Sequence, residues 1–422
     1  MPKICHGLMM TGITLYLLAG ANFLSLLGFH YISDGGSQLE KIHPGSFCIT
    51  AAFGWLCLAP NSRPLWRGKQ VISHIAGPLH ALWWFAGAVL YAAIFSSTQT
   101  MAVLLDSFCP ACLVAIISAL DRPASAKPRI NLVLALILIN AIIAIAEAVC
   151  GHLLLPLDID KSIGDSYPIS AQEFRAMALY DHPLTGSAIT LLGLLMAPPR
   201  GWGSIYRLVM LAALIGFGGR AALLIGLCAL ALLSLIAAHE NPRPRALPPS
   251  VKIMAQLLGL LIFAGVFTVL SGAGTRLLAH LSWDSSAQAR LWSWGILASL
   301  DAREIILGTS HADVIRHLQA IQLENGGMVV ENFWIMMLIT LGMCGFSLFL
   351  AGFWMLNRWL WRFTTARGKV ILVALLLILS TNNSLARKSS ILTITAFVVC
   401  ARPIYVRAPR RQFAPAIAAA NG

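Results

Sequence analysis

The sequence has few charged residues: only 11% of its 422 positions are Asp, Glu, Lys or Arg, against about 25% in a typical soluble protein. Apolar residues make up 58% of the chain, and the mean hydropathy is +0.77. This composition excludes an ordinary soluble enzyme. The nine cysteines fall mostly within apolar stretches, so they do not form the dense framework of a small disulfide-stabilised protein.

The sequence also lacks the short motifs that are typical of a metal or nucleotide site. It contains no HExxH, no Walker motif, no paired CxxC and no GxGxxG in a soluble βα context. Its single CxxC, residues 109–112, lies inside an apolar stretch, which favours packing over redox chemistry. We therefore expect no metal and no cofactor. The net charge of +13 comes without a compact basic module, so no nucleic-acid partner is expected either.

What the sequence does contain is a series of apolar blocks, most of them close to the roughly 20 residues that cross a bilayer. They predict an all-α fold: a polytopic integral membrane protein with about 12 transmembrane helices, which form a single transmembrane domain over residues 1–422. The predicted spans are 8–29, 45–60, 71–95, 101–120, 130–155, 183–198, 204–219, 221–238, 252–272, 332–356, 369–380 and 388–401.

The distribution of positive charge predicts the orientation of this domain. With the N-terminus inside, the inner segments hold 20 Lys and Arg residues and the outer segments hold 10. Cytoplasmic loops are enriched in positive charge, so this bias favours an N-in, C-in topology. The last two spans are short, and a re-entrant turn at 381–383 is the alternative to two full crossings.

Two long polar segments interrupt the apolar pattern, at 156–182 and 273–331. The predicted topology places both on the outer, periplasmic side. The second alternates apolar and polar residues in a way that predicts short helices at the membrane interface, so we expect a large, partly helical periplasmic loop. A catalytic or binding apparatus is expected in these two loops.

The outer side carries several arginines despite the bias that disfavours positive charge there. A guanidinium is always charged, and its planar fork of donors matches phosphate oxygens, so arginines near a membrane surface suit a phosphate or diphosphate headgroup. The alternative is a set of solvated arginines paired with nearby acidic residues. The outer arginines are Arg175, Arg220, Arg290, Arg303 and Arg316.

Arg220 is the most unusual of these arginines because it lies between two predicted spans with almost no loop, directly after Gly218 and Gly219. A charge in hydrocarbon costs about 2.5 to 3.5 kcal/mol at a helix centre and less toward the interface. The glycines allow a tight turn and the close approach of a ligand. A functional role is therefore favoured for Arg220.

Histidines and acidic residues supply candidates for acid–base chemistry. His43 and His182 each precede a proline at the outer start of a span, where they either begin the helix or transfer a proton near neutral pH. Glu331 and Asn332 begin the tenth span, where Glu331 either interacts with the helix dipole or accepts a proton from a sugar hydroxyl. Glu147 is the one obvious acidic residue deep in a predicted span.

The order of these features resembles the bacterial O-antigen polymerase and O-antigen ligase superfamily, especially its exopolysaccharide repeat-unit polymerases. The likeness covers most of the chain through short motifs in matching membrane positions. The motifs are Gly35-Gly36-Ser37 with Lys41-Ile42-His43-Pro44, Phe174-Arg175-Ala176 with Asp181-His182-Pro183-Leu184, Gly219-Arg220-Ala221, Ala289-Arg290-Leu291-Trp292, and Glu331-Asn332-Phe333-Trp334 with Leu341-Gly342 and Gly345.

The resemblance implies glycosyl transfer at the periplasmic face, in which a sugar chain leaves an undecaprenyl diphosphate carrier and joins an acceptor hydroxyl. Arg220 and Arg290 would then hold the diphosphate and stabilise its growing charge, and no metal is needed for that task. Family ligases carry His-Asn where this chain has Glu331 and Asn332. The base is therefore Glu331, His311 or His182, and the departure favours a polymerase over a ligase.

The remaining expectations concern ligands and alternatives. The substrate-binding set that we predict comprises Arg175, Arg220, Arg290, Arg303, Arg316, Asn332, Lys41 and His43. The predicted partners are the lipid-linked glycan and the bilayer, with a chain-length regulator and export machinery as further candidates. The alternatives are a ligase that moves the finished glycan to an acceptor, and a flippase or other transporter of lipid-linked oligosaccharides. We find no clear internal repeat, which disfavours transport.

Overall fold

The computed structural model describes residues 2–31, 37, 39–58, 69–95, 98–120, 126–155, 174–180, 182–198, 202–240, 259, 262, 265–266, 294–310, 313–314, 316–317, 332–381 and 390–401. Every regular element within these residues is a helix, which confirms the all-α prediction. The helices are α1 Pro2–Leu18, α2 Ala21–Leu26, α3 Pro44–Leu58, α4 Lys69–Phe95, α5 Thr98–Leu120, α6 Ala126–Cys150, α7 Pro183–Met196, α8 Gly203–Gly216, α9 Arg220–Glu240, α10 Ile296–Ser299, α11 Ala302–Leu307, α12 Phe333–Phe363, α13 Ala366–Thr381 and α14 Ile391–Ala401.

Four of the described helices are long and apolar enough to cross a membrane. Their spanning stretches are Ala76–Phe95, Lys127–Cys150, Arg220–Ala237 and Phe333–Phe363. Six shorter apolar helices accompany them, of 10 to 17 residues each. The apolar helices indicate a membrane protein, while the full set of about 12 spans stays a prediction. The predicted span 252–272 falls almost entirely outside the described residues.

Helix α12 packs along α4, and α4 packs along α5, so these three helices form one side of the bundle. Aromatic rings fill the space between α4 and α12: Phe85 and Phe349 lie 5.8 Å apart between ring centroids. Gly352 makes the close approach possible, because a Cβ at that position would lie 3.1 Å from the Phe85 ring. A second group comprises α6, α7 and α8. Helix α5 packs against α3 and α14, and α14 also packs against α6 and α7 of the second group.

The first predicted span, 8–29, is not one continuous helix. The chain breaks between α1 and α2, where Gly20 lies so close to the backbone of Leu179 that a Cβ would overlap the Leu179 carbonyl. Only glycine allows this contact between distant segments. The break therefore anchors the segment before α7 against the end of α1.

Helix α12 is also interrupted, at Gly342, whose φ of 61° and ψ of 178° are not helical. Interior helix breaks leave carbonyl groups without their usual donors, and a second segment must satisfy them. Here Thr309 donates its backbone N–H to the Ile339 carbonyl at 2.9 Å. The segment around Thr309 therefore docks into the break in α12.

One end of the bundle gathers most of the predicted site residues, and we call it the loop end. It is the end at which α3, α7, α9 and α12 begin. Contacts between distant segments define it: His43 bonds the Ala19 carbonyl, Ala176 bonds the Gly216 carbonyl, and Tyr91 bonds the Leu307 carbonyl. The predicted topology assigns this end to the periplasm.

Candidate anion site at the loop end

The turn between α8 and α9 is built by two glycines. Gly218 has a φ of +65°, a conformation that glycine adopts without steric cost. Its N–H donates to the Ile215 carbonyl at 2.8 Å, and the Gly219 N–H donates to the Leu214 carbonyl at 3.2 Å. This pair of bonds is the Schellman arrangement that ends a helix. It brings α9 to its start at Arg220 only four residues after α8 ends.

Arg175 lies directly against this turn. A Cβ on Gly218 would be 3.4 Å from Cγ and 3.6 Å from Nε of Arg175. The next residue, Ala176, donates its N–H to the Gly216 carbonyl at 3.0 Å, which ties the Arg175 segment to the end of α8. Arg175 and Arg220 are both half-buried. Two arginines that lie 45 residues apart in the sequence thus meet at one glycine turn.

His182 lies near the same turn, because it caps α7 and α7 contacts the turn. Its Nδ1 accepts the Leu184 N–H at 3.2 Å, and Pro183 occupies the first helical position. Helix α7 contacts the glycine turn through Ser187, since a Cβ on Gly219 would lie 2.5 Å from the Ser187 Cβ. The sequence left open whether His182 begins a helix or transfers a proton. The geometry favours the first role, because His182 caps α7.

This arrangement suits an anion. The N-termini of α7 and α9 lie next to one another, and a helix N-terminus carries a partial positive charge. Arg220 starts α9, and Arg175 adds a second guanidinium beside the same turn. A phosphate or diphosphate is the ligand class that helix N-termini and arginine forks bind best.

The region that docks into α12 forms a small cap, which we define as residues 294–310, 313–314 and 316–317. Its apolar residues Ile296, Leu300 and Val314 pack against Ile335 and Ile339 of α12. Two predicted substrate ligands lie on the cap surface: Arg303 is exposed, and Arg316 is 76% exposed and paired with Asp313. The structure does not bring these two arginines into contact with the glycine turn.

The cap is held together by a capping box at the start of α11. The Asp301 side chain accepts the Glu304 N–H at 2.7 Å, and the Glu304 side chain accepts the Asp301 N–H at 3.0 Å. His317 Nε2 lies 3.1 Å from the same Glu304 carboxylate. These hydrogen bonds, first the Asp301 backbone and then His317, lower the pKa of Glu304.

Asn332 starts α12, as its sequence position predicts. Its side-chain oxygen accepts the Trp334 and Ile335 N–H groups at 2.9 and 3.3 Å, while its amide donates to the Ser380 carbonyl at 3.2 Å. Trp334 Nε1 donates to the Ser380 hydroxyl at 3.2 Å. The side chain of Asn332 is therefore used to join the start of α12 to the end of α13.

Lys41 and His43 lie in the segment before α3. Lys41 Nζ donates to the His30 carbonyl at 2.7 Å. His43 is buried: its Nδ1 accepts the Gly45 N–H at 3.0 Å, and its Nε2 lies 2.9 Å from the Ala19 carbonyl. Burial lowers the pKa of His43 to about 4, so the ring is neutral near pH 7. This geometry favours packing over substrate contact for His43.

Sequence reasoning missed a buried carboxylate, Asp106, which is 4% exposed in α5. It accepts hydrogen bonds from the hydroxyls of Ser46 at 2.6 Å and Tyr31 at 3.2 Å. Tyr16 bonds Ser46 at 2.5 Å and stacks on His43, with 4.3 Å between ring centroids. Asp106 was visible in the fourth predicted span, so Glu147 is not the only acidic residue deep in a span.

Three predicted site residues, Glu331, Arg290 and His311, lie outside the described residues, as does most of both long polar loops. Their roles remain predictions. No known family model and no curated protein matches this sequence.

Proposed function

We propose that this protein polymerises undecaprenyl-diphosphate-linked oligosaccharide repeat units, in exopolysaccharide, capsule or O-antigen biosynthesis. One observation carries the proposal: Arg175 and Arg220 meet at a glycine turn where two helix N-termini come together. The substrate of such a polymerase is anchored in the membrane and carries a diphosphate headgroup. An apolar helical bundle with an anion site at one end suits that substrate.

The proposal includes a membrane topology. We propose about 12 transmembrane helices in the bacterial inner membrane with both termini inside, so that the loop end faces the periplasm. The 20 to 10 division of positive charge supports this orientation. Lipid-linked repeat units that reach the periplasmic leaflet would present their diphosphates at the depth of the glycine turn.

The chemistry of the proposed reaction assigns separate roles to the arginines and to a base. The acceptor hydroxyl oxygen attacks the anomeric carbon of the donor sugar, and the bond from that carbon to the diphosphate oxygen breaks with its electron pair. Arg220, with Arg175 and Arg290, would stabilise the charge that grows on the diphosphate. Glu331, His311 or His182 would accept the hydroxyl proton.

The direct test uses the purified protein in nanodiscs with undecaprenyl-diphosphate-linked repeat units from its own host, and product size is read on a gel. A ladder of lipid-linked oligomers supports the proposal. Transfer of the glycan to a lipid A core acceptor would identify a ligase instead. Passage of intact substrate across a liposome membrane without bond formation would identify a flippase.

Arginine variants test whether activity depends on Arg175 and Arg220 at the glycine turn. Arg175→Ala and Arg220→Ala should each reduce polymer to a small fraction of the wild-type amount at an equal protein level in the membrane. The matched control is Arg207→Ala, because Arg207 lies on α8 at the opposite end, where it bonds the Pro198 carbonyl at 3.1 Å. Full activity in both loop-end variants would contradict the proposal.

A further inference from the structure

We propose that Glu147 is a positioning residue that holds Arg175 in place for diphosphate binding, an inference that rests on the proposed function. Glu147 is fully buried near the end of α6. A carboxylate at membrane depth is costly unless its acceptor sites are satisfied or it serves a function. Its surroundings in the structure show which groups satisfy it.

The carboxylate of Glu147 accepts three backbone N–H groups from two separate segments. Its Oε1 accepts the Leu154 N–H at 3.0 Å, and its Oε2 accepts the N–H groups of Met177 and Ala178, both at 2.8 Å. Bonds from N–H groups to an ionised carboxylate are short and strong. Glu147 therefore binds the chain two residues after Arg175 and fixes the path of that segment.

The backbone geometry of this segment requires such a partner. Ala178 has a φ of +53°, which residues with a side chain rarely adopt. Asn22 holds the same residue from the other side, where its amide donates to the Ala178 carbonyl at 3.4 Å and to the Leu155 carbonyl at 3.3 Å. Ala176 is held in turn by the Gly216 carbonyl at 3.0 Å.

These contacts place Arg175 between two fixed points. On one side Ala176 is bonded to the end of α8, and on the other Met177 and Ala178 are bonded to Glu147. These bonds fix the backbone that carries Arg175, and the Arg175 side chain lies along Gly218. Without the Glu147 carboxylate, the segment loses the acceptor for two N–H groups, and Arg175 loses its alignment with Arg220. A displacement of about 1 Å can cost on the order of 100-fold in a positioned site.

The test measures equilibrium binding of undecaprenyl diphosphate to the full-length protein in nanodiscs, for Glu147→Gln, Arg175→Ala and the double variant. Glutamine keeps the shape but has one acceptor oxygen instead of two, so its NH₂ group faces N–H donors on one side. Glu147→Gln should therefore raise the Kd about 10- to 100-fold. If Glu147 acts through Arg175, the double variant should bind no more weakly than Arg175→Ala alone. Fold-changes that multiply in the double variant would overturn the inference, as would an unchanged Kd in Glu147→Gln.

Two controls separate positioning from general damage. Asn140→Leu removes another buried polar contact of α6, to the Leu17 carbonyl at 2.7 Å, and should leave the Kd unchanged. If Glu147→Gln does not assemble, Asn22→Leu loosens the same segment and should show the same lack of additivity with Arg175→Ala. Arg220→Ala tests the proposed function by itself: an unchanged Kd there and in Arg175→Ala would refute the diphosphate site.

Discussion

The contact between the cap and the break in α12 gives the sharpest prediction, which concerns the substitution Gly342→Ala. Gly342 lies at φ 61° and ψ 178°, a region that is almost exclusive to glycine and costs another residue about 1 to 3 kcal/mol. An added Cβ would overlap the backbone of Gly308 and Ile306. Alanine also favours a continuous helix, so α12 should straighten and displace the cap.

The expected cost follows from these contacts. To the backbone strain is added the hydrogen bond from Thr309 to the Ile339 carbonyl, which is worth about 1 kcal/mol net. We expect the free energy of cap opening to fall by about 2 to 4 kcal/mol. Since each 1.4 kcal/mol is a factor of ten, the Thr309 amide should exchange with solvent roughly 30- to 1,000-fold faster.

Hydrogen–deuterium exchange with mass spectrometry of cap peptides is the assay, in the same detergent for all variants. Gly87→Ala is the matched control, because a Cβ there would find its nearest neighbour, Leu348, at 4.0 Å. Its cap should exchange as in the wild type. Wild-type exchange at Thr309 in Gly342→Ala would refute the argument that glycine geometry holds the cap on α12.

Three further predictions concern the ionisable groups of the loop end. Asp106→Asn leaves the Ser46 and Tyr31 hydroxyls with one acceptor oxygen instead of two, so unfolding in detergent should become easier by about 1 to 3 kcal/mol; unchanged stability would contradict this. Burial lowers the pKa of His43 from 6.5 to about 4, so the free energy of unfolding of the wild type should fall as the pH drops from 6.5 to 4. In His43→Phe, the part of this pH dependence that comes from His43 should disappear. The lowered pKa of Glu304 means that its stabilisation of the cap is present above about pH 4.5 and is lost as pH falls through the folded value; Glu304→Gln should show no such change in cap exchange, and an identical pH response would contradict the role of Glu304.

Helix positions were largely predictable because apolar blocks end at glycine, proline or charge. The predicted spans 204–219 and 221–238 agree with α8 and α9 to within a few residues, since Gly218 and Gly219 mark the turn. The break at Gly342 was not predictable as such. A glycine within a long apolar run carries no sign that a segment more than 30 residues earlier will insert its backbone there.

The candidate site was predictable only in part, because some of its residues have a local signal in the sequence and others depend on contacts between distant segments. Arg220 and its glycines form a local signal, and the charge bias singled out Arg175, but their meeting depends on contacts that span 40 residues or more. The partners of Asp106 come from residues 60 to 75 positions away. Hydrogen bonds of that kind leave no pattern in the sequence, so Asp106 was missed.

The two buried carboxylates argue for a fixed site at the loop end. Glu147 accepts backbone N–H groups of the Arg175 segment, and Asp106 accepts hydroxyls from Ser46 and Tyr31, beside the segment that leads to α3. A transporter needs interior charges that change partners as the helices move. Glu147 is instead bonded to the connection before α7, and Asp106 to Tyr31 before α3 and to Ser46 within α3, so both acids resist such movement. Enzymes that stabilise developing charge depend on donors already in position, so this use of buried acids supports the glycosyl transfer that we propose over the alternative of transport.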